Sequence, residues 1–360
     1  MPIMPIEAID DWSKRIERTD AFWRRELVDR PVVVFSLPKD KPVVEPPPEK
    51  HWPTHRDRWL DFDHRAAKAR AGCLNRDYWG DALPMAMPNL GPDTFCGFFG
   101  ADLEFAESTS WSHPVIDEWS NADQARFDTG GYWWKAQEAF IDRMIEAGQG
   151  VFYTGVPDLH PGGDCAASLR GPMNFNIDLI EHPDEVKRLL ARIDQAYVYT
   201  LSHYFDRMRL GEQAVTSWPG IVSSVRWAVV QNDFSCMISP EMFEEFFLPG
   251  IADECRHADA TLYHLDGPGA LRHLDALLAI PELTAIQWVY GAGNGPASKW
   301  IDVYRRCQAA DKAIQIVGAN VTDLDAFIEE LRPEGVWLML GGVENADQAD
   351  WAMRRIEGWR

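Results

Sequence analysis

Apolar and polar positions fall into two regimes along the chain. Beyond residue 132, short apolar runs alternate with stretches whose apolar residues recur every three or four positions. The runs are Val151–Val156, Trp227–Asp233, Ala260–Leu265, Ala285–Val289, Ala313–Val317 and Gly335–Leu340. Continuous apolar runs of this length, separated by amphipathic helices, mark parallel strands buried on both faces. Helices are predicted over 132–148, 174–210, 269–279, 298–310, 323–332 and 345–357. Another opens at Ser239-Pro240-Glu241, where Ser suits the N-cap and Pro the first turn. The first part of the chain is less regular. A helix within residues 1–30 stops at Pro31, and Val32–Phe35 reads as a strand. A proline-rich loop over 38–55 precedes a helix over 56–74. Residues 75–125 then form a long irregular region, with short strands near Pro84–Met87 and Leu103–Ala106.

Six late strands and two early ones make eight. The fold class read from this pattern is α/β: a (β/α)8 TIM-type barrel with extended N-terminal loops. One domain, 1–360, is expected. Its residues 1–125 would hold the N-terminal helices, first strands and aromatic loops, and 126–360 the regular units. A doubly wound open sheet is the runner-up, and no glycine-rich phosphate motif follows the first strand to favour it.

Reactive groups in such barrels lie just past the C-terminal ends of strands. That rule selects His264 and Asp266, two apart on one strand and so facing one side. Together they suit a metal or an acid/base couple. The alternative is a core histidine and a helix-capping aspartate. The loop Asp158-Leu159-His160-Pro-Gly-Gly-Asp164 repeats the pairing of carboxylate and imidazole, with an Asx-type loop fastening as its plain reading. Asp233 ends another strand, as catalyst or as loop fastener. The expected catalytic set is therefore His264, Asp266, Asp158, His160 and Asp233, with His264 and Asp266 as metal ligands. Expected to line the substrate site are Trp79, Trp111, Asp164, Gln231, Gln287, Trp288 and Tyr290.

Composition narrows the ligand. The chain carries 35 Lys+Arg against 56 Asp+Glu, a formal charge of −21. Such a surface repels nucleic acid and anionic membrane and favours a neutral or cationic small molecule. No apolar run is long enough to span a bilayer, and the N-terminus does not read as a secretory signal. The six cysteines (Cys73, Cys96, Cys165, Cys236, Cys255, Cys307) are scattered, which predicts reduced, buried thiols and a cytoplasmic protein. Of the sixteen tryptophans, Trp23, Trp59, Trp337 and Trp351 read as core. Trp79, Trp111, Trp119, Trp218 and Trp288 fall in loops or at strand ends, where flat rings can line a pocket.

At Met237-Ile-Ser-Pro-Glu-Met-Phe-Glu-Glu-Phe-Phe-Leu-Pro249 the sequence resembles the uroporphyrinogen decarboxylase superfamily. The unit DATLYHLDGPGALRHLDALLAIPELTAIQW and the opening AFWRRELVDRPVV are similar to it as well. The resemblance implies a barrel with a deep cleft at its C-terminal face. The decarboxylases' arginine motif is replaced by Leu27-Val28-Asp29-Arg30-Pro31, so decarboxylation of uroporphyrinogen itself is not expected. In the corrinoid-linked methyltransferases zinc is held by a His-x-Cys pair and a distant Cys. Here His264 matches the first ligand, Asp266 replaces the first Cys, and the late Cys falls at Gly341-Gly342. The chain thus resembles a divergent branch, similar to sequences labelled trimethylamine corrinoid protein-like. Methyl-group transfer or demethylation is what the resemblance implies, with zinc as the metal, a corrinoid or folate link, a homodimer and a corrinoid-protein partner all open. Two other classes stand beside it: a carbohydrate-active hydrolase or lyase using paired carboxylates and tryptophan platforms, and a ligand-binding accessory protein without catalysis.

Overall fold

The computed structural model describes residues 3–360. Its strands, in chain order, are β1 (Val32–Pro38), β2 (Arg76–Gly80), β3 (Met85–Ala86), β4 (Leu103–Phe105), β5 (Ser110–Ser112) and β6 (Tyr153–Thr154), then β7 (Trp227–Gln231), β8 (Ala260–Asp266), β9 (Ala285–Val289), β10 (Ala313–Asn320) and β11 (Val336–Gly341). Together with the intervening helices they give a mixed α/β fold around a mostly parallel sheet. The order is β2-β1-β11-β10-β9-β8-β7, and only the β1–β2 pair is antiparallel. The last strand therefore lies beside the first. All five residues of β7 are buried, as expected for a strand covered on both faces.

The ladders do not join into the eight-stranded ring that the apolar runs predict. β3 and β6 pair with each other in a separate two-stranded sheet, and each is only two residues long. Beside β6 runs the segment 213–217. Val156 donates to the Thr216 carbonyl at 2.7 Å, and the Trp227 indole donates to the Val215 carbonyl at 3.0 Å. β1 and β3 share no ladder, and both line a cavity of about 740 Å³. The backbone of this part is satisfied by loop and side-chain partners, such as Gln213 Oε1 accepting from Thr154 N at 2.9 Å. That is why a pattern-based count of strands overstates its regularity.

Several local expectations change. The helix predicted over 174–210 is two, Pro172–Glu181 and Pro183–Leu210, preceded by a third, Gly162–Arg170. Gly171, at φ +88°, makes the first break. A proline at the start of each following helix fits a position whose N–H needs no partner. Ser239 caps its helix by accepting from Met242 N at 3.3 Å, and a π turn follows at Phe243–Phe247.

Trp23, Trp59 and Trp337 are buried, but Trp351 is 41% exposed. Helix Ala346–Glu357 turns Ala349, Ala352 and Ile356 inward, so Trp351 lies off that stripe. Cys236 is exposed and Cys73 half-buried, so the expectation of buried thiols holds for the other four. No helix among the described residues is long and apolar enough to cross a membrane.

Candidate active site

Four polar residues stand in register across four parallel strands. Gln231 of β7 is opposite His264 of β8, His264 is opposite Gln287 of β9, and Gln287 is opposite Gln315 of β10. The three glutamines are buried and His264 nearly so, and their polar atoms must find partners within the sheet's interior. Gln315, Gln287 and His264 bond one another in a row, while Gln231 turns to the loop at 158–159. Pro219 offers only a carbonyl, so the Gln315 group 2.8 Å from it is the NH2. Gln315 then presents its Oε1 to the Gln287 NH2 at 2.6 Å, and Gln287 presents its own Oε1 to His264 Nδ1. This polarity puts the hydrogen of a neutral His264 on Nδ1 and leaves the Nε2 lone pair free. The ring is braced by Trp218, edge-on at a centroid distance of 4.8 Å.

His264 Nε2 lies 3.9 Å from Asp233 Oδ1, a buried oxygen with no hydrogen-bond partner. Two acceptors facing one another repel unless a proton or a cation lies between them. Donor atoms of Asp233, His264 and Asp266 all fall within 4.8 Å of one another, and so do those of His160, Asp164 and Asp233. Asp266 makes no side-chain bond to the helix that follows it, which removes the capping reading.

The second group is organised differently. Asp164, in the first turn of helix Gly162–Arg170, accepts from Asp233 N at 3.0 Å and Phe234 N at 2.7 Å. Asp164 is therefore the fastener, and it holds Asp233 in place. Burial and the Asp233 charge push its carboxyl up to about 6. His160 bonds Asp158 Oδ2 at 3.1 Å and lies 3.8 Å from Asp164 Oδ2. Burial alone would push the His160 imidazole down. The Asp158 bond and the charges of Asp158, Asp164 and Asp233 outweigh it and raise it to about 10. Gln231 Nε2 in turn holds Asp158 Oδ1 at 3.1 Å and the Leu159 carbonyl at 2.9 Å. Burial pushes the Asp233 carboxyl up as well, opposed by the two histidines.

The structure thus brings together Asp158, His160, Asp164, Asp233, His264 and Asp266, with Gln231 and Gln287 supporting them. It does not bring the tryptophan platforms there. Trp288 neighbours Gln287 on β9 and so faces the opposite side; it is fully buried against Trp300 at 5.1 Å. Tyr290 stacks on the same Trp300 at 6.5 Å. Trp79 stacks on Phe35 across β1–β2, and Trp111 lies on the β4–β5 hairpin opposite Glu104. The loop ring that reaches the site is Trp218.

Sequence reasoning missed Gln315 as a member of the site. Its signal is the repeated Ala-Ile-Gln in β9 and β10, a polar residue at the same place in two apolar strands. Cys236 was also missed as a neighbour; partial burial and the acids at 233, 164 and 266 push its thiol up.

No family model and no curated protein matches the chain. Among solved structures, a methyltransferase from Methanosarcina mazei is similar in fold, with a TM-score of 0.60 over 96% of this chain and 98% of that chain at 14% identity.

Proposed function

We propose that the chain is a small-molecule enzyme of the methyl-transfer class. We further propose that its strands form a (β/α)8 barrel, with no ladder between β1 and β3 or between β6 and β7, and that its reaction centre is the polar cluster around His264 and His160. The fold likeness to a methyltransferase supports the class. The observation that carries the site is the amide chain Pro219–Gln315–Gln287–His264, which aims an imidazole lone pair at the unpartnered Asp233 Oδ1.

A divalent cation fits that arrangement. His264 Nε2, Asp233 and Asp266 supply one nitrogen and carboxylate oxygens, a donor set that zinc accepts. When bound, such an ion supplies Lewis-acid polarisation of a substrate heteroatom. No thiolate stands in the set, so it differs from the ligands the resemblance implies for thiol-activating zinc. The remaining residues act on the other side. His160 holds a proton beside Asp233, steadied by Asp158 and Gln231. Four carboxylates against one imidazolium leave the site acidic, which favours a cationic or neutral substrate, and Trp218 places an aromatic ring beside it that suits a methylated ammonium group.

The test is calorimetric titration with tetramethylammonium, with acetate as the control. Wild type is expected to bind the cation saturably, and Asp233→Asn to bind it at least several-fold more weakly. Equal binding of acetate, or an unchanged cation affinity in Asp233→Asn, would sink the reading. Glycoside hydrolysis is disfavoured because Trp79, Trp111 and Trp288 lie away from the carboxylates.

A further inference from the structure

A pocket lies apart from the His264–His160 cluster and shares no residue with it. It has a volume of about 270 Å³ and lies between helices His55–Leu60 and Phe62–Leu74, the loop before them and Glu107. On a chain of charge −21 its chemistry is of the opposite sign. Arg58, His64, Arg65 and Lys68 line it, with Trp52 and Trp59 as flat walls.

The two arginines have no carboxylate partner among the described residues. Arg58 donates to the backbone carbonyl of Glu107, and Arg65 to those of Trp59 at 2.8 Å and Asn89 at 2.6 Å. Backbone carbonyls orient a guanidinium without neutralising it. Burial, and after it the neighbouring Arg58 charge, lower the Arg65 guanidinium to about 10. His64 is buried and lines the pocket, and its Nε2 has no hydrogen-bond partner. Two guanidinium groups held only by carbonyls, beside a polar atom with no partner, leave donors that an anion's oxygens can take up.

Three acids lie nearby. Asp61 is held by Lys50, the Trp52 indole and His64 N. The Glu107 side chain is at the rim. Glu49, on the exposed proline-rich loop, meets Lys68 at 3.0 Å, so one carboxylate already reaches the edge of this pocket from outside. Trp52 is fixed both by Asp61 and by its edge contact with His64, at a centroid distance of 5.0 Å, which makes it a rigid wall rather than a mobile flap.

We propose that this pocket binds a small organic anion, a carboxylate on a flat apolar body, with its charge on Arg58 and Lys68 and its face against Trp52. The volume admits a ring with its substituents and excludes a polymer lying within it. Charge-assisted bonds to arginine supply orientation, and the tryptophan face supplies the apolar contact.

The test uses benzoate as the probe and benzamidine as its counterpart of the same shape and opposite charge. Calorimetry on the full chain is expected to show saturable benzoate binding and none for benzamidine. Arg58→Gln should weaken benzoate by about tenfold, the scale of one charge-assisted bond. Lys68→Gln, at an exposed position that does not threaten folding, should weaken it by a smaller factor, and Asp233→Asn in the distant polar cluster should leave it unchanged. The proposal is overturned if benzoate does not bind saturably, if benzamidine binds as tightly, or if benzoate affinity is the same in wild type and both pocket variants.

Discussion

Gln315 touches none of the predicted catalytic groups, yet it determines which nitrogen of a neutral His264 carries the hydrogen. Its NH2 is pinned to a proline carbonyl, so the whole row of amides has one polarity. Replacing it by Met leaves Gln287 free to flip and removes the constraint on the imidazole. Zinc affinity in Gln315→Met is expected to fall by about tenfold or more, as for other residues that orient a metal's ligand, read by competition with a chromophoric chelator. An unchanged affinity would show that the row is only a packing device. His160 makes a separate prediction at this scale. Its imidazole, raised to about 10, is charged throughout the neutral range. Because its folded value lies above the ordinary 6.5, its stabilising contribution is complete below about pH 6.5 and disappears as pH rises through about 10. NMR of the ring should show no titration between pH 6 and 8 in wild type, and a clear downward shift in Asp158→Asn.

The late strands were readable because each is an apolar run between helix caps, and β9 was located to the residue. The polar row was visible as isolated residues, His264, Gln287 and Gln231, but not as a row. Register across parallel strands decides contact, and nothing within one strand encodes it. Trp288 looked like a pocket wall because it stands at a strand end, but alternation along β9 turns it away from the face that carries Gln287. β3 and β6 were hard to delimit because two-residue strands carry no periodicity. Element contacts also rest on glycines. A Cβ on Gly163 would stand 2.5 Å from Asn232 Oδ1 and 2.9 Å from Phe247, both buried, so helix Gly162–Arg170 could no longer approach the end of β7. Alanine ordinarily favours a helix by up to about 1 kcal/mol, but overpacking costs about 1–3 kcal/mol and should win. Gly163→Ala is expected to lower the melting temperature and to weaken metal binding, since Asp164 would lose its hold on Asp233. A rise in melting temperature would contradict this packing.

At the scale of the molecule, the charge of −21 is distributed with purpose at only a few places. One is beside Gln231, where half-buried Asp194 and buried Glu254 line a small cavity with Gln231 and Asn232. Burial and Asp253 raise the Asp194 carboxyl to about 7. A carboxyl raised in the folded state costs nothing below its unfolded value near 4. The cost grows as pH rises towards 7 and is complete above it. Asp194→Asn should therefore raise the melting temperature at pH 8 and leave it nearly unchanged at pH 4. An equal gain at both values would assign the effect to packing rather than charge. The acids at 158, 164, 233 and 266 are different: they converge on two histidines, and their arrangement asks for a cation. We propose that Asp233, His264 and Asp266 hold one. The most direct measurement is zinc titration of the purified, metal-stripped chain, with bound metal counted by elemental analysis. One zinc per chain is predicted, lost in His264→Ala and in Asp233→Asn while both variants remain folded. A folded wild-type chain that takes up no zinc, or variants that still bind it, would contradict the account.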